Sequence, residues 1–110
     1  MAREKIVALT QAPVAVVVAH FPQIISALKD ESLQQSILAI IKQYPTESTP
    51  HIEEALLSKD DELKRILLVQ VVATLPFYSK MVVANAVEQI AMAHGDLQQL
   101  AQQALQSFEP

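Results

Sequence analysis

PHIEEALLSKDDELKRILL, residues 50–68, reads as two helices and the joint between them. Pro50 suits a first helical turn, where the N–H it lacks would have no partner anyway. Ile52, Ala55 and Leu56 then supply an apolar face at helical spacing. Asp60, Asp61 and Glu62 interrupt the run. An aspartate with acids behind it both caps a new helix and complements its N-terminal dipole. Lys64 and Arg65 follow, and Leu63, Leu67 and Leu68 open a second buried stripe. The stretch PQIISALKDESLQQSIL, residues 22–38, has the same plan. Pro22 matches Pro50, Ile24 matches Ile52, and Ala27–Leu28 match Ala55–Leu56. After a short insertion Asp30 matches Asp60, Leu33 matches Leu63, and Ile37–Leu38 match Leu67–Leu68. A degenerate third copy places Ile90–Ala91 at the helix end and DLQQLAQQAL, residues 96–105, after it. The period is about 30 residues, the range of repeated helical pairs.

Composition supports helices throughout. The chain has 110 residues, of which 51% are apolar, with one glycine and no cysteine or tryptophan. Ala, Leu and Gln are the commonest residues, and all three favour helix. This is one domain, all-α, with an aliphatic core. Capping signals predict about seven helices, near 2–10, 13–21, 22–29, 31–44, 50–58, 60–75 and 78–94, with a last one at 96–108; the first two or three merge or kink. Ser48–Thr49–Pro50 is read as a hydroxyl cap and first-turn proline, and His94–Gly95–Asp96 as a C′ glycine followed by an N-cap aspartate. The 60–75 helix is apolar nearly all round, which marks it as the central element or as a face for a partner subunit, so a homodimer is one expectation.

The order proline, apolar helix end, aspartate turn and basic residue in Pro50, Leu56, Asp60 and Lys64–Arg65 resembles HEAT repeats, and the phrase through Leu75 is similar to a small bacterial HEAT-like domain family of unassigned function. The first copy has Gln34 and Gln35 where that family carries a basic residue, and the third lacks the proline. The resemblance implies a short right-handed stack of antiparallel helical pairs, with the second helix of each pair lining one face; an irregular helical bundle is the alternative architecture. Stacking buries a continuous core that one pair cannot make alone.

The chemistry that the sequence excludes is extensive. Without cysteine there is no thiolate or zinc–sulfur site. With one glycine there is no phosphate-cradling loop, and no serine sits in a nucleophile elbow. A net charge of −4, with dispersed basic residues, argues against nucleic acid. The longest apolar run, Pro13–Phe21, is too short for a membrane span, and the N-terminal residues lack a signal-peptide core, so a cytoplasmic protein is expected. His51 and Glu54 lie one turn apart, which could start a metal site, but such a site needs further ligands; a metal-binding or enzymatic role through this pair is the alternative function. Phe77 and Tyr78 are read as packing at a helix junction. The leading expectation is a non-catalytic protein-interaction module without cofactor or metal. Its partner surface would comprise His51, Glu53 and Glu54 on one helix and Asn85, Glu88 and Gln89 on another, facing a protein with a basic surface.

Overall fold

The two aspartate joints organise the fold. The computed structural model describes residues 3–93 and 95–108, and among these every regular element is helical. Seven are α-helices: α1 (Arg3–Leu9), α2 (Val14–Ser26), α3 (Gln34–Gln43), α4 (Pro45–Leu56), α5 (Asp61–Ile66), α6 (Phe77–Met92) and α7 (Gln98–Gln106). Short 3-10 turns at Ala27–Lys29 and Glu31–Leu33 join α2 to α3; a π turn (Leu67–Val71) and a 3-10 turn (Val72–Thr74) continue α5. Asp30 accepts hydrogen bonds from the Ser32 N–H at 3.0 Å and from its hydroxyl at 2.7 Å. Asp60 accepts from the Leu63 N–H at 3.1 Å and opens α5. Lys29 Nζ donates to Asp60 Oδ2 at 2.7 Å, tying the first joint to the second.

This contact shifts both partners. The hydrogen bond and charge of Asp60 raise the Lys29 pKa, and the hydrogen bonds from Lys29 and Leu63 lower that of Asp60. Because the folded carboxyl is more acidic than the unfolded one, its contribution is present above the ordinary carboxylate range and is lost as pH falls through the folded pKa. The Lys29 contribution has the opposite sign and is lost as pH rises through its raised pKa. Asp60→Asn therefore unfolds at lower urea concentration than wild type at neutral pH, and the difference closes on acidification; a constant difference across the acid range would contradict the pairing.

Three punctuation signals act differently from expectation. Pro22 lies inside α2 and Pro50 inside α4, both facing solvent. An internal proline costs about 3 kcal/mol, but the helix in each case continues through a buried face: Phe21, Ile24 and Ile25 around Pro22, and Thr49 and Ile52 around Pro50. Pro45, at the first position of α4, is the actual opener. Tyr44 leaves the helical region before it, at φ −129° and ψ 62°. Gly95 is not a left-handed C′ residue, since no described residue has positive φ, and Leu97 rather than Asp96 holds the N-cap position of α7. His94 lies outside the described residues.

Ser48 and Thr49, read as a cap, are instead buried. Thr49 Oγ1 lies 2.5 Å from the Pro45 carbonyl and shares a 2.7 Å hydrogen bond with Ser79 Oγ on α6. Thr49→Val keeps the volume but strands the Ser79 hydroxyl in the core, so it should cost about 1–3 kcal/mol. Adding Ser79→Ala should restore part of that loss in urea unfolding, because an all-apolar contact leaves no orphan; purely additive losses would show that the pair is not coupled.

The core runs the length of the chain, through Ile6, Phe21, Leu28, Ile40, Leu56, Leu67, Val83 and Ala101. In it α4 packs between α2 and α6, α1 packs on α3, and α7 lies along α6 and against the π turn. The π turn explains the all-round apolar pattern. On a straight helix, at 100° per residue, Leu63 and Val72 would point half a turn apart. The wider π turn advances less per residue, which brings Val71 and Val72 round to the side of Leu63 and Leu67. All four are buried, and Leu68 and Leu75 with them, leaving Val69 and Ala73 exposed. The segment is thus largely covered by its own chain, and Val69 is the large apolar group that it leaves in solvent. No helix among the described residues is long and apolar enough to cross a membrane.

Candidate functional site

Helix α6 buries one side and exposes the other. Ser79, Val83, Ala86, Val87, Ile90 and Ala91 are buried against α4 and α7. Tyr78, Met81, Asn85, Glu88 and Met92 recur at intervals of three and four residues on the opposite side, and all five are exposed. The apolar members are large: Phe77 is 64% exposed, Tyr78 68%, Met81 56% and Met92 80%. Phe77 and Tyr78 are therefore surface groups and not the packing residues that the sequence suggested. The reason is their register on α6. Ser79 takes the inward position against Thr49, which turns its two predecessors outward.

Asn85, Glu88 and Gln89 share this exposed side of α6, so three of the expected partner-binding residues adjoin its aromatic and methionine groups. Nothing in the sequence alone separated Phe77 and Tyr78 from core aromatics; the useful signal was Ser79, a small polar residue at the buried register.

The other half of the expected surface is elsewhere. The imidazole of His51 is half-buried and stacks on Phe21, with centroids 5.6 Å apart and planes 19° from parallel. His51 and Glu54 line a groove of about 260 Å³ with Pro22, Ile25 and Ser58. Glu53 is half-buried and Glu54 exposed. The Ser58 hydroxyl there donates to the Ala55 carbonyl at 2.6 Å, closing the end of α4. Among the described residues no three His, Asp or Glu side chains come together to hold a metal ion. His20 is occupied locally, with Nδ1 2.8 Å from the Val16 carbonyl oxygen.

A second cleft, of about 320 Å³, opens where the end of α4, the start of α5, the end of α6 and the turn into α7 meet, and Gln89 is on its wall. No protein-family model, curated protein or solved structure matches the chain.

Proposed function

We propose that the chain is a non-catalytic protein-interaction module, a short stack of HEAT-like helical pairs that presents the outer side of α6 to a protein partner. The observation that carries this reading is the group of Phe77, Tyr78, Met81 and Met92 on the solvent side of one helix whose other side is core. Single exposed apolar residues are ordinary, but aromatic and methionine side chains gathered on one face mark a surface that gains from being covered. Methionine adapts to the shape of a partner, and tyrosine brings a large contact area at low entropic cost.

The stacking part of the reading draws support from the row α2–α4–α6, in which alternate helices neighbour one another, and from the two matching aspartate joints. Glu88 on the same side, with the chain's net charge of −4, favours a partner that brings basic residues to the rim of its apolar contact. Co-purification from native cells tests the proposal. A protein retained by wild type and lost with Tyr78→Ser/Met81→Ser supports it; an identical set of retained proteins contradicts it.

A further inference from the structure

The two joints are built alike but resolve their next residue differently. One position after Leu33 stands Gln34, and one after the matching Leu63 stands Lys64. Gln34 is fully engaged: its Nε2 donates to the Leu28 carbonyl at 2.9 Å, and its Oε1 accepts from Gln70 at 3.2 Å. Lys64 is different. Its side chain is only 17% exposed, yet its ammonium lies 3.7 Å from Asp61 Oδ1, beyond hydrogen-bonding distance. A lysine side chain that is mostly covered, with a loose intramolecular counter-ion, is set up to receive an anion from outside.

That residue lines the 320 Å³ cleft. The cleft has an apolar floor, with Leu56, Ile90 and Leu97 each nearly buried. Arg65 adds a second cation, while Gln89 and Gln98 offer amides and Asp61 and Asp96 offer acceptors. The volume corresponds to roughly ten waters at ~30 Å³ each. This mixture is more than a simple acid needs. A fatty acid would use the cations and the floor but would bring no donor for Asp61, Asp96 or the two glutamines. A chain end uses all three: its carboxylate on Lys64 and Arg65, its last side chain on the floor, and its peptide N–H groups on the acidic and amide acceptors.

We propose that this cleft binds the free C-terminus of a polypeptide ending in an aliphatic residue. The inference shares with the proposed function the premise that the chain recognises protein, but it uses a cleft that meets the outer side of α6 only at Gln89. It can hold or fail independently of Phe77, Tyr78, Met81 and Met92.

The test is a nitrogen–proton NMR titration of the whole chain with an acetylated tetrapeptide of three alanines and a terminal leucine, as the free acid and as the C-terminal amide. The free acid should give saturable shifts at the amides of Leu57, Gln89 and Leu97. The amide should bind about tenfold more weakly, the loss expected when a charge-assisted contact disappears. Lys64→Met should reduce the acid to the level of the amide, Lys64→Arg should retain the preference, and Tyr78→Ser/Met81→Ser should bind as wild type does. Equal binding of acid and amide, no saturable shift, or an acid preference that survives Lys64→Met would overturn the proposal. Octanoate binding as tightly as the peptide acid would also overturn it, since the site would then be one for simple acids.

Discussion

Phe21→Ala should destabilise the fold by about 3–5 kcal/mol, the cost of emptying a fully buried aromatic position. Phe21 is 0% exposed, sits on the continuous face of α2, and carries the stacked ring of His51 from α4. Deletion therefore opens a cavity and removes a contact between neighbouring helices in the row. For a chain of this size total stability is on the order of 5–15 kcal/mol, so the variant should lose about a fifth of it or more. Phe77→Ala is the internal control. That ring stands in solvent, and its loss should shift stability by no more than about 0.5 kcal/mol. Urea unfolding of the two variants, followed by far-UV circular dichroism, separates them. Similar midpoints would mean that the inside and outside of the helical row have been assigned wrongly.

The second large effect concerns binding and should leave stability alone. Tyr78 and Met81 lie one turn apart at the start of the exposed side of α6. If they anchor a partner, each truncation should cost about 2 kcal/mol or more of binding, which is roughly 30-fold in affinity per residue. Neither side chain contributes to the core, so Tyr78→Ser/Met81→Ser should unfold at the wild-type midpoint. An unchanged fold with lost binding is the signature of a recognition surface. A fall in both together would mean that these residues support the structure.

The parts of the fold written locally were legible in the sequence. Asp30 and Asp60 cap as expected, because a cap depends on a side chain and N–H groups two or three residues away. The buried set of α6, Val83, Ala86, Val87, Ile90 and Ala91, follows helical periodicity without exception. What failed depended on distant neighbours. Pro22 and Pro50 look like openers until the buried faces that carry the helix through them are known. Ser48 and Thr49 look like caps until the Pro45 carbonyl takes the Ser48 hydroxyl and Ser79 arrives from α6 to meet that of Thr49. The apolar breadth of residues 63–75 was legible as a central element or a partner face, but the π turn that gathers most of it to one side was not.

The candidate surface was half legible for the same reason. Asn85, Glu88 and Gln89 follow from subtracting the apolar stripe of their helix, and all three are exposed. Phe77 and Tyr78 could not be placed outside before the inward register of Ser79 was known. His51 and Glu54 stand on α4 beside a groove shared with α2, apart from the cleft that holds Gln89.

The most direct test of the account is site-specific photo-crosslinking in native cells, with benzoylphenylalanine placed at Met81 and, as a control, at the exposed Gln102 of α7. The account predicts a discrete covalent adduct with another protein from Met81, absent from Gln102 and lost when Tyr78→Ser is added. No adduct from Met81, or the same adducts from both positions, would contradict the assignment of α6 as the recognition surface.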